Sequence, residues 1–261
     1  MLDELFLFQL ALSFIFGGLL VALSLHLAER FGIKIGTALL STPSTSLVSF
    51  LFMGITNSIE FVREATTPSL LSLTATLIFL AVFVKLSEKL KKNTLWFSLA
   101  VWAVLAFFIL QYKISDIRLA LLIFFIVYIP VNLMSRKKNI EIELKELKTP
   151  KKMLIYRVLI SGFVISMAVL LAKLFGPVWG GVFTMFPAAF SSSFFVIQRD
   201  HGVAHAAAVG RNLIPPYIVF VFYSLAVYFS YPAFGVYVGT IAALLPTWLF
   251  AYIVYVINSK L

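Results

Sequence analysis

FGPVWGGVFTMFPAAFSSSF, residues 175–194, has a counterpart earlier in the same chain. Moved back by 144 positions without a gap, it lies on FGIKIGTALLSTPSTSLVSF, residues 31–50. The two share Phe31/Phe175, Gly32/Gly176, Gly36/Gly180, Pro43/Pro187, Ser49/Ser193 and Phe50/Phe194. Leu27-Ala28 and Leu171-Ala172 extend the match upstream, and after a one-residue slip Leu80-Ala81-Val82 recurs as Leu225-Ala226-Val227. Apolar segments resemble one another by composition alone. The weight therefore rests on the shared Gly and Pro, whose backbone effects are specific, and they predict an internal repeat.

The rest of the composition says where such a repeat resides. With 61% hydrophobic residues, 12% charged residues and a mean hydropathy of +1.01 over 261 residues, the chain has more apolar surface than a water-soluble domain could bury. A hydrocarbon core about 30 Å thick needs about 20 apolar residues per helix. The runs of that kind predict an all-α polytopic membrane protein with about nine transmembrane helices, at residues 5–27, 35–57, 68–86, 95–111, 119–134, 154–173, 178–197, 212–231 and 235–257. The fourth and fifth are short, and one of them could be re-entrant. The first run follows Asp3 and Glu4 rather than a basic segment and is long for a signal-peptide core, so it reads as a retained helix. Zero cysteines exclude disulfides, iron–sulfur clusters and thiol catalysis.

A net charge of +10 raises nucleic acid as a partner, but the basic residues sit between apolar runs and not on an aromatic-lined face. Membrane topology explains them instead. With the N-terminus outside and the C-terminus in the cytoplasm, 17 of the 21 Lys and Arg fall inside, leaving Arg63, Lys113, Arg118 and Lys173 outside. The expected location is the cell membrane. Five spans separate equivalent positions, and an odd number turns the second copy over. The expected organisation is therefore two inverted-topology repeats (5+4): residues 1–135 with five helices, a cytoplasmic amphipathic linker over 136–153, and residues 154–261 with four. The linker's basic ends suit anionic lipid.

Candidate functional residues cluster at the shared prolines. Pro43 and Pro187 fall mid-span, where a proline removes a backbone hydrogen bond and frees a carbonyl at membrane depth. Around them lie Ser41, Thr42, Ser44, Thr45 and Ser46 in one copy and Ser191, Ser192 and Ser193 in the other. Helix ends and hydroxyls together could bind an ion or polar solute at the midplane. Equally, Ser and Thr could do no more than relieve the kink and let helices approach. The four-residue spacing of Gly32/Gly36 and Gly176/Gly180, with Gly181 beside it, favours close helix packing. Gly176-Pro177 makes the turn between the sixth and seventh spans tight.

Arg199, Asp200, His201 and His205 form the densest ionisable cluster, with Arg211 beyond. A helix from Asp200 onward would set the aspartate at its positive end and both histidines on one face, a proton-handling or gating arrangement at the inner approach to the site. Solvated loop residues are the plainer reading. Two histidines with no further ligand make no metal site, and no cofactor is expected. Asp and Glu stay near the span ends, and no nucleophile arrangement or phosphate-cradling loop occurs, so no enzyme activity is expected.

The FGxxxGG followed by a proline and small hydroxyl residues, read at Phe175–Ser193 and in degenerate form at Phe31–Ser46, resembles GlpM-like small membrane proteins and related uncharacterised permeases. The likeness covers about one helix hairpin per half, as though two such units were fused, and implies a permease-like fold without transferring any catalytic residue. The first copy departs from the pattern at Ile33 and Thr37, where the second has Pro177 and Gly181. The function expected is a secondary transporter or permease for a small solute, ion or lipid-linked substrate, alternating around a site between the second and seventh spans. A non-transporting membrane scaffold or assembly partner is the alternative. Partners are the bilayer, the solute and, as an open possibility, further copies of the chain.

Overall fold

The computed structural model describes the backbone of residues 3–40, 43–136 and 151–258, with the side chains of 21, 24–40, 136, 151–154, 157 and 258 outside the description. These residues are almost entirely helical: α1 (Glu4–Leu40), α2 (Ser44–Thr56), α3 (Ile59–Leu90), α4 (Thr94–Tyr112), α5 (Ile117–Arg136), α6 (Lys151–Phe175), α7 (Pro177–Thr184), α8 (Ala188–His201), α9 (Val203–Asn212) and α10 (Ile218–Asn258). Among the described residues, five apolar stretches, 59–112, 117–135, 158–175, 177–201 and 215–257, are long enough to cross a bilayer. Their outward faces carry large apolar side chains such as Trp96, Phe107, Ile126, Phe163 and Leu249. Such a surface suits lipid rather than water, and the fold is that of a helical membrane protein.

Two of the five stretches turn back on themselves. Ser230 Oγ donates to Gly239 O at 2.9 Å and the Tyr231 and Thr240 hydroxyls are 2.8 Å apart. Nine residues of straight helix would separate each pair by about 13 Å. The reversal is at Gly235, whose φ of 77° and ψ of 177° are nearly exclusive to glycine. Trp102 Nε1 likewise reaches Thr76 Oγ1 at 3.0 Å across a reversal at Lys91 (φ 49°). The α4 and α5 helices, the two read as short, have 19 and 20 residues and an intervening left-handed Lys113. The turn expected between residues 27 and 35 has no break in helix assignment, because Ile33 stands where Pro177 interrupts the second half. Even so, Phe16 and Phe52 have ring centroids 6.2 Å apart. A straight α1 followed by a returning α2 would leave them about 24 Å apart along the axis, so α1 does not run straight from Phe16 to Leu40.

The places where helices stop recur at a constant spacing. Pro43 (φ −74°, ψ 58°) starts α2 and Pro187 (φ −77°, ψ 44°) starts α8, each accepting at 2.8 Å the first helical bond from the amide four residues on. Ser58 and Gly202 precede α3 and α9, and Lys91 and Gly235 are the two reversals. All three pairs are 144 positions apart. The likeness of Leu80–Val82 to Leu225–Val227 has a spacing of 145 and so falls one residue off this spacing.

Contacts between the two halves come in reciprocal pairs under the same shift. A Cβ on Gly18 would meet Val158 O at 3.0 Å, and one on Gly162 would meet Phe14 O at 2.6 Å. Phe50 packs on Tyr223 at 6.3 Å, and Phe79 on Phe194 at 6.2 Å. Gly54 lies against Val236, while Gln198 Nε2 donates to Lys92 O at 2.9 Å. In each case a contact between residues i and j+144 is matched by one between j and i+144.

Candidate functional site

The site is built at the two helix breaks. Prolines end both incoming helices because neither can donate to the preceding turn, and neither has a side chain able to cap the helix it starts. Pro43 and Pro187 are buried, and Ser46 Oγ donates to Met185 Sδ at 3.4 Å, which brings the start of α2 to the end of α7. Seven residues along α2, Met53 Sδ lies over Gly180. The line Ser46, Ser49, Met53 therefore faces α7. Ser49 Oγ is buried and unpartnered, as are the Ser191, Tyr223 and Ser224 hydroxyl oxygens.

The freed carbonyls of the α7–α8 break are taken by residues that the sequence pattern did not single out. Ser72 Oγ donates to Val182 O at 2.7 Å, and Thr76 Oγ1 lies 2.7 Å from Met185 O and 3.0 Å from Ser72 O, with one proton for the two. The Trp102 indole completes the Thr76 oxygen by donating to it, with its ring edge-on to Phe186 at 4.9 Å. The signal for these residues is Ser69, Ser72 and Thr76 at helical spacing within an otherwise apolar span. The repeat masks it, because the second half has Pro216 and Phe220 at the positions matching Ser72 and Thr76.

The predicted site residues fare differently. Ser44 and Thr45 are half-buried at the start of α2. Ser192 and Ser193 both donate to Ala189 O, at 3.1 and 2.6 Å, so these hydroxyls serve their own helix. Thr42 and Ser41 lie outside the described residues, as does the linker over 137–150. Gly180 packs against Ala172 and Met53, and Gly181 against Ala65 O and Pro68, which is the close-packing role. Gly176 has nothing within 4 Å; its φ of 94° makes the turn.

The helix expected from Asp200 onward is not formed. α8 continues to His201, and Gly202 (φ 87°, ψ 165°) breaks it before α9. Asp200 thus stands in the last turn of a helix, the end that disfavours a carboxylate, and is held by Arg199 Nε at 2.8 Å. His201 and His205 still meet across the break, their rings 5.3 Å apart. All four residues except half-buried His205 are exposed, and no group of three metal-ligating side chains occurs among the described residues.

No curated protein and no solved structure matches the chain. Residues 10–117, from within α1 to the first residue of α5, are similar to a family described as protein of unknown function (DUF3147).

Proposed function

We propose that the chain is a secondary transporter or permease for a small solute, ion or lipid-linked substrate, working by alternating access around a midplane site at the two helix breaks. The observation that carries this reading is the meeting of the breaks through Ser46 and Met185, in an interior where several hydroxyls are buried without partners. Broken helices at the centre of an inverted pair are how many carriers present polar backbone to a solute inside the bilayer.

Inversion is supported by the direction of the α1–α6 crossing. Phe14 meets Gly162 and Gly18 meets Val158, so one helix descends as the other rises, and the axis lies across them, in the membrane plane. The reversals at Lys91 and Gly235 and the closeness of Phe16 and Phe52 support a reading of nine spans. The orientation with the N-terminus outside the cell is supported by the exceptions to it. Arg63 donates to the Tyr228 hydroxyl at 3.0 Å, and Lys173 Nζ donates to Thr56 O at 3.1 Å, closing the end of α2, so both have structural work on the outer side. Arg199, Asp200, His201 and His205 then stand at the inner approach, as gating residues of that mouth.

The scaffold reading is favoured by one observation, the full satisfaction of Val182 O and Met185 O by Ser72 and Thr76, which a static kink would also display. Flux separates the two. The purified chain in proteoliposomes is expected to give saturable, counterflow-competent uptake of at least one solute from an anion, cation and polar-neutral panel. Pro43→Ala and Pro187→Ala, which let the helices heal, are expected to lower it about tenfold or more. Monodisperse protein with no counterflow for any class would leave the scaffold.

A further inference from the structure

The side-chain donors at the α7–α8 break have no equivalents at the matching positions of the second half. Ser72, Thr76 and Trp102 correspond under the 144-residue shift to Pro216, Phe220 and Pro246, none of which has a side-chain proton to donate. Ser72 and Thr76 fix the end of α7 to α3 through Val182 O and Met185 O, and the Trp102 indole ties α4 to the Thr76 oxygen. Trp102 is further wedged edge-on between Phe186 at 4.9 Å and Phe183 at 6.4 Å, on either side of Met185. Around the break Gly180, Gly181, Val182, Thr184 and Met185 are all buried.

Two halves related by inversion would exchange conformations as access passes from one face to the other, and with identical halves the two states would be equally populated. Side-chain donors that only the first half carries at these matching positions remove that equality. We infer that Ser72, Thr76 and Trp102 are a latch that holds α7 closed and sets the resting state, so that the site is sealed toward the face where α7 begins at Gly176 and open toward the face where α8 ends at His201. This rests on the transport reading and assigns the regulation of its site. The latch is neutral, made of two hydroxyls and an indole, so it releases through competition for hydrogen bonds. A solute able to bond the Thr76 oxygen or Met185 O would open it, which couples occupancy to the change of access. Because each bond is buried, losing one changes the balance of states by about tenfold.

The absence of cysteine makes the test direct. A single Thr45→Cys reporter, half-buried at the start of α2, is labelled in oriented membrane vesicles with an impermeant thiol reagent applied from one face at a time. With the latch intact, labelling from the His201 face is expected to be at least about tenfold faster than from the Gly176 face. Adding Thr76→Val or, independently, Trp102→Phe is expected to reduce that ratio about tenfold by admitting reagent from the Gly176 face. Equal labelling from both faces with the latch intact, or a ratio unmoved by both substitutions, overturns the latch while leaving solute flux as separate support for transport. No labelling from either face in any background overturns the latch and, together with absent counterflow, the transport reading as well. A role in stability alone would lower the melting temperature of both variants without changing sidedness, and that outcome also counts against the latch.

Discussion

Gly181→Ala will destabilise the protein by about 2–4 kcal/mol, a large cost for one added methyl group. The new Cβ is directed at the carbonyl oxygen of Ala65 and lies 2.8 Å from Pro68 Cγ, both on a fully buried stretch of α3. Backbone cannot rotate away as a side chain can, so α7 must lift. Lifting it stretches the Ser72 bond to Val182 O next door and then the Thr76 bond to Met185 O, both 2.7 Å. Overpacking of this kind costs about 1–3 kcal/mol, and a hydrogen bond inside a membrane protein adds about 0.6–1.7 kcal/mol. Gly176→Ala is the informative control. Nothing lies within 4 Å of its Cβ, but φ 94° and ψ −178° are strained for alanine, at about 1–3 kcal/mol. Thermal unfolding in detergent should therefore show both falling, with Ser72→Ala lowering Gly176→Ala further but adding little to Gly181→Ala, whose bond is already lost.

Gly18→Leu and Gly162→Leu will each cost about 2–3 kcal/mol, and the pair together will cost less than the sum. Each side chain enters the same α1–α6 crossing from opposite sides, toward Val158 O and Phe14 O. Once the first substitution has parted the helices, the second finds room. The measurement is a double-mutant cycle on the unfolding midpoint. Additive losses would mean that the two contacts belong to separate interfaces and not to one two-fold crossing.

What is legible in the sequence follows from where backbone chemistry is unambiguous. Gly176, Pro187 and Pro43 announce their breaks, because proline cannot donate and glycine alone takes the observed angles. The 144-residue spacing carries those breaks from one half to the other, and apolar runs long enough to span mark the helices. The hydroxyl row on α3 is hidden by the same logic. Attention to residues shared by both halves passes over Ser72 and Thr76, which face Pro216 and Phe220 in the comparison and act on a carbonyl more than 100 positions away. Ser191–Ser193 mislead in the opposite direction. Three adjacent serines point to three directions on a helix, and two of them return to Ala189 O. Gly202 is legible only as a glycine after a charged pair; that it ends α8 and leaves Asp200 at the wrong end depends on the positive φ.

The central claim is that the second half lies upside down relative to the first, and two equivalent turns test it most directly. Asn93 follows the Lys91 reversal and Tyr237 follows the Gly235 reversal, 144 positions apart, and both are exposed. Single Asn93→Cys and Tyr237→Cys variants of the cysteine-free chain, probed with an impermeant thiol reagent in vesicles of known orientation, are predicted to react from opposite faces, Asn93→Cys from the cytoplasmic face and Tyr237→Cys from the outer one. Reaction of both from the same face would contradict the inversion and the alternating-access mechanism that depends on it.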